Sequence, residues 1–169
     1  MGLKFTALYK SNLPTFEMVN YFKDFLSLEC KDMLILKDLE WVTLYNNDPQ
    51  EHYREYGFIS LVGLNEITFN ISAHLVELVT EWEWLFFLKD VEKRKDMRDV
   101  CLRIVKYLGN PIYVPDSYCY SSYLFEGKTY TDVLASLRSQ YGDPVKDILD
   151  MLVQYEMYWD TSGYYIDER

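Results

Sequence analysis

Few side chains in this 169-residue sequence stand at spacings that could do chemistry. His74 and Glu77 are three apart, with Glu81 and Glu83 downstream. On a helix that spacing would put an imidazole and a carboxylate on one face, as a metal site or an acid–base pair requires. A metal would still need a third and fourth ligand, and His52 is the other histidine in the chain. The reading favoured for His74 and Glu77 is a solvated polar stripe. Cys101, Cys119 and Ser117 are the candidate nucleophiles, but no GxSxG elbow or cysteine-protease context surrounds them. Cys101 falls on the apolar stripe of its expected helix, which suits core packing. There is no GxGxxG and no GxxxxGK[ST], the glycine patterns that cradle phosphates. The sequence therefore predicts no catalytic residue, no cofactor and no metal.

Binding chemistry is better represented. From Asp143 to Glu168 run seven acidic residues and one lysine, Lys146, interleaved with Tyr155, Tyr158, Trp159, Tyr164 and Tyr165. Aromatic anchors among carboxylates suit an interface for a basic protein, because rings supply contact area at low entropic cost and charge raises the association rate. Tyr158, Trp159, Asp160, Tyr164, Tyr165 and Asp167 are the expected partner-binding residues. The competing reading is that half of these rings face the core while the acids solvate the surface. The cluster Tyr118–Tyr123 poses the same choice. Lys89–Lys106 is the one basic region, with seven Lys/Arg against four acids. Asp90, Glu92, Asp96 and Asp99 interleave there as helical neighbours, so an exposed face with intrahelical pairs is favoured over an anion site.

The elements that must position these residues read as follows. Lys4–Tyr9 is an expected strand. Pro14 opens an amphipathic helix carried by Phe16, Val19, Tyr21, Phe22, Phe25 and Leu26. Short apolar runs at Met33–Leu36, Glu40–Tyr45, Phe58–Leu61 and Glu66–Ile71 read as strands; in the last, Ile67, Phe69 and Ile71 alternate with polar residues. Ser72 is placed to cap a helix through Leu75, Val76, Leu78, Val79, Trp82, Leu85 and Phe86. A second helix runs from Met97 to Leu108 and stops at Gly109-Asn110-Pro111, with a strand at Ile112–Val114. Thr129 and Asp132 resemble a capping box for a helix ending at Gly142. Asp143-Pro144 opens another through Val145, Ile148, Leu149 and Leu152. A hairpin turning at Thr161-Ser162-Gly163 closes the chain. Strands early and helices late make an α+β fold: a single domain over residues 1–169, its antiparallel sheet mainly from the N-terminal half.

Twenty-seven acidic against seventeen basic residues give a net charge of −10, while 17% of the chain is aromatic. Disordered acidic tails are poor in rings, so this is a folded chain with a negative surface. That charge disfavours direct nucleic-acid binding and attachment to anionic membranes. The start lacks the apolar run of a signal peptide, and no stretch approaches the roughly 18 apolar residues of a membrane span. Gly2 with Thr6 fits a loose myristoylation pattern. Three scattered cysteines suit a reducing cytoplasm.

The run Glu81-Trp82-Glu83-Trp84-Leu85-Phe86-Phe87, the charged helix Glu92–Leu108, the segment Gly109–Ser117 and the helix ending at Tyr141-Gly142-Asp143-Pro144 together resemble small acidic bacterial immunity proteins. The likeness spans roughly residues 80–145. It implies a cytoplasmic protein that neutralises a basic toxin, often a nuclease, by occluding its active site. Two alternatives stand beside it: an acidic DNA mimic that blocks a nucleic-acid enzyme, with carboxylates in two rows, and an enzyme of unrecognised type.

Overall fold

The computed structural model describes residues 3–12, 16–28, 41–43, 49–63, 67–115, 123–124, 126–155 and 158–168. The expected strand Met33–Leu36, Pro14 at the first helix start, and Ser117, Tyr118, Cys119 and Tyr120 lie outside them.

Strand β1 (Lys4–Lys10) is the axis of the molecule. It pairs antiparallel with β5 (Leu75–Glu83) on one side and β6 (Ile112–Pro115) on the other. Beyond β5 follow β4 (Ile67–Ser72), β3 (Phe58–Gly63) and β2 (Trp41–Thr43); beyond β6 comes the two-residue β9 (Tyr165–Ile166). All these pairings are antiparallel. The fold is α+β, with the sheet drawn mainly from the N-terminal half and helices mostly later.

Both faces of β1 are buried, and its residues divide between two cores. Phe5, Ala7 and Tyr9 enter the larger one, with α1 (Phe16–Leu28), α3 (Trp84–Lys89) and α4 (Val91–Arg103); α2 (Pro49–Tyr56) lends Tyr53 to its margin. Leu8 enters the smaller one with Leu75, Ile112, Val114 and, from α5 (Tyr130–Tyr141), Val133 and Leu137. Phe5 centres an aromatic cluster: its ring lies 4.6 Å from Phe87, 5.2 Å from Tyr113 and about 6 Å from Trp82 and Trp84. Phe22 of α1 meets Phe69 edge-on at 5.2 Å, which seats that helix on the sheet.

Two helices expected from the sequence are not there. Leu75–Glu83 is a nine-residue strand, and helix begins only at Trp84. The segment lies between β4 and β1, buried on both faces at Leu75–Leu78, so its apolar residues are nearly continuous and their three-and-four spacing imitates a helix. Ser72 caps no helix. Its hydroxyl oxygen accepts from the Leu75 and His74 amides and donates to the Leu75 carbonyl, shaping the β4–β5 turn. The Asp143–Leu152 helix is reduced to a 3-10 turn at Ile148–Met151, capped by the Asp147 carboxylate on the Leu149 amide. Val145 is tied instead to the C-terminal segment, its amide donating to the Tyr164 carbonyl at 3.0 Å. The basic helix also ends sooner than expected, at Arg103 rather than Leu108.

The C-terminal hairpin exists but turns earlier. Leu152–Tyr155 (β7) pairs with Tyr158–Thr161 (β8) as a separate two-stranded sheet. Thr161-Ser162-Gly163 instead carries the chain to β9 on the main sheet, with Gly163 at φ +94°. Other local signals match the structure. Thr129 and Asp132 form a reciprocal capping box, and Gly142 at φ +82° ends α5. Asp90 caps α4 through the Glu92 and Lys93 amides.

Burial separates two phenylalanines one residue apart in α3 and Phe5 from them in role. Phe5→Ala is expected to cost about 3–5 kcal/mol in urea unfolding, whereas Phe86→Ala, on the exposed side of α3, changes stability by less than about 0.5 kcal/mol.

Candidate functional site

Asp167, expected at the partner surface, is an internal residue. Its carboxylate accepts from Arg98 Nε at 2.8 Å and Nη2 at 2.7 Å and from the Tyr113 hydroxyl at 2.7 Å. Its amide donates to the Pro111 carbonyl at 2.9 Å. The side chain is 1% exposed and that of Arg98 23%. This two-pronged ion pair ties α4, β6 and the C-terminal segment together. Tyr165 joins it half-buried, its ring stacked on Tyr113 at 6.1 Å and beneath the Arg98 guanidinium at 5.9 Å. Tyr164 is fully buried, its hydroxyl donating to the Gly142 carbonyl at 2.8 Å. Tyr164 and Asp167 are thus unavailable to a partner: three residues apart, Tyr164 packs in the smaller core while Asp167 is enclosed by Arg98 and Tyr113. Tyr158, Trp159 and Asp160 lie on β8, opposite Tyr155, Gln154 and Val153; their side chains fall outside the described residues.

Around the clasp sits a group of weak acids held protonated. The Tyr9 hydroxyl donates to the Cys101 carbonyl at 3.0 Å. Burial, first of all, raises the Tyr9 and Tyr113 phenols well above their ordinary range and pushes the Cys101 thiol up to about 12. A thiol so protonated is no nucleophile, and Cys101 packs in the core. The hydrogen bond to Asp167 keeps the Arg98 guanidinium charged beyond its usual limit.

His74 and Glu77 do not share a helix face. His74 is exposed at the β4–β5 turn, while Glu77 is buried in β5. Glu77 belongs to a polar row across three strands: the Ser60 hydroxyl donates to Asn70 Oδ1 at 2.7 Å, and Asn70 Nδ2 donates to Glu77 Oε2 at 3.2 Å. The sequence signal for this row was a set of polar residues at directly paired strand positions, legible only once the register is known. Among the described residues, no three or more His, Cys, Asp or Glu side chains gather as metal ligands. A surface hollow of about 360 Å³ at the start of α5 is lined by Tyr123, Lys128, Asp132 and Ser136. Its Asp132 is committed to the capping box, whose backbone bond from Thr129 lowers the carboxyl below its ordinary value.

Some large apolar side chains also reach solvent. Leu85 and Phe86 project from α3, Val91 starts α4, and Leu149 projects from the 3-10 turn that packs beside α3. Leu3 adjoins them, its carbonyl accepting from the Trp84 amide at 2.9 Å. No family model, curated protein or solved structure matches the chain. The site must therefore be judged on its own chemistry. Among the described residues, no helix is long and apolar enough to cross a membrane.

Removing Asp167 strands a mostly buried guanidinium. Asp167→Ala is expected to cost about 3 kcal/mol, the low end for a broken buried pair because Arg98 stays partly wet; an Arg98→Met/Asp167→Leu double variant is expected to cost less than the single change in the same urea titration.

Burial of Tyr9, Tyr113 and Cys101 also sets alkaline behaviour. In the unfolded chain these groups lose protons near pH 8.5 for Cys and 10 for Tyr, roughly, while the folded chain retains them. Their contribution is complete below that range and is lost as pH rises, by about 1.4 kcal/mol per pH unit for each titrating group. The urea midpoint is expected to hold between about pH 7 and 8 and fall steeply above about 10. Tyr9→Phe should reduce the slope by one proton.

Proposed function

We propose that this protein is a stoichiometric inhibitor of a basic protein, of the immunity type that protects a cell by covering a toxin's active site from within the cytoplasm. The observation that supports it is the pairing of net charge −10 with apolar side chains left on the surface. Charge of this sign raises the encounter rate with a cationic partner, and desolvated apolar anchors supply the affinity. Arg98 in the basic region is paired with the buried Asp167, which offsets its charge. The remaining cations of α4 are interleaved in sequence with Glu92, Asp96 and Asp99, and the chain's excess of acids lies outside Lys89–Lys106. Expected contacts on the hairpin are Tyr158, Trp159 and Asp160, on β8, the strand paired with β7.

Capture with the intact chain from its native host, followed by assay of the bound protein, tests the reading. The partner is expected to have a basic isoelectric point and to lose its activity at a one-to-one ratio. Association should slow by on the order of tenfold as the Debye length shrinks from about 30 Å to 8 Å with added salt. An on-rate independent of salt would count against the proposal.

A further inference from the structure

Beyond Gly163 the chain leaves the β7–β8 hairpin and lies in a groove built by other parts of the molecule. Upstream, the Ser162 amide donates to the Met151 carbonyl at 3.0 Å, which fixes the hairpin side of the junction. Gly163 then turns the backbone at φ +94°, where residues other than glycine rarely sit. Two buried side chains do most of the holding that follows. Tyr164 fills the smaller core and donates its hydroxyl to the Gly142 carbonyl; Asp167 accepts from Arg98 and Tyr113. Between them Tyr165 and Ile166 are half-buried, and the sheet pairing is Ile112 with Ile166 and Tyr113 with Tyr165. A hollow of about 520 Å³ separates these two residues from Asp143–Lys146. The segment is seated at its two ends and loosely packed along its middle.

The groove is built without the segment. Its donors are Arg98 Nε and Nη2, the Tyr113 hydroxyl and the Val145 amide; its acceptors are the Pro111 and Gly142 carbonyls. Helix α4 is seated by Met97, Val100 and Cys101, and β6 by its pairing with β1, neither of which needs residues 164–168. With the segment out, the groove would present a partly buried guanidinium beside a phenol donor. That arrangement is chemically incomplete until a carboxylate fills it, and a planar guanidinium takes a carboxylate in the two-pronged geometry found here. The outer edge of β6 beside it accepts an extended backbone.

We infer that residues 164–168 are a latch that opens about Gly163 while the rest of the fold stays intact, and that the groove beneath is a receptor for an extended peptide bearing an aromatic residue and, three positions on, a carboxylate. The chain's own segment is the intramolecular occupant and keeps the receptor closed. A peptide added in trans competes with it, so its apparent affinity is the intrinsic one reduced by the fraction of molecules open. The inference stands apart from the charge of the partner proposed above.

Hydrogen exchange and a peptide titration test this on the full chain. The Asp167 and Val145 amides both bond across the groove. They are expected to exchange at least about a hundredfold faster than the amides of β1, because opening the latch costs less than unfolding the chain. The probe is a synthetic peptide of residues 163–169, with a second peptide that carries asparagine in place of its aspartate. The Asp167→Asn chain loses the charge that holds the latch, and should bind the first peptide at least about tenfold tighter than the unsubstituted chain does. The asparagine peptide should bind that variant about tenfold more weakly than the aspartate peptide. General repulsion from a chain of charge −10 would favour the asparagine peptide, so its loss of affinity reports the contact with Arg98. Amide shifts in nitrogen-15 spectra are expected at 98, 111–114 and 142–145, and dispersed spectra confirm that the variant folds.

The exchange measurement needs no variant. Asp167 and Val145 amides that exchange as slowly as those of β1 would overturn the latch. Equal binding of the two peptides, shifts centred elsewhere, or no binding to the Asp167→Asn chain would overturn the receptor.

Discussion

Everything in this molecule hangs on β1 being buried on both faces. The first strand of the sequence, it pairs with partners that come much later, β5 on one edge and β6 on the other. Closing those long loops costs chain entropy before any contact forms. The compensation is concentrated on the same strand: Phe5, Ala7, Leu8 and Tyr9 are all excluded from water, and the first of them touches four other aromatic rings. Part of the chain's richness in aromatic residues serves this strand: Phe5 and Tyr9 lie on it, and Trp82, Trp84, Phe87 and Tyr113 surround Phe5.

The Asp167 clasp completes the same architecture from the other end. A short β9 of two residues gives few backbone bonds to hold it on the sheet. The carboxylate supplies what the strand lacks, through three side-chain hydrogen bonds to α4 and β6. Such a pair adds little net stability over a well-packed apolar substitute, since both charges must leave water. What it adds is specificity of placement, because any other register would bury the carboxylate without its guanidinium.

How much of this was legible follows from the range over which each signal acts. Thr129, Asp132 and Gly142 act on their own neighbours, and each does in the structure what its residue type implies, whereas the helix expected to run to Gly109-Asn110-Pro111 already ends at Arg103. The Ile67, Phe69 and Ile71 alternation held because β4 is covered fully on one face and only partly on the other. Leu75–Glu83 misled because burial on both faces removes the period-two pattern that separates strand from helix. Asp167 misled for a related reason. An acid near a tail has no local mark of burial, and its partners Arg98 and Tyr113 are distant in sequence. Phe86 lies in an apolar run with no polar side, so nothing local marks that Leu85 and Phe86 face solvent while Trp84, Phe87 and Leu88 are buried.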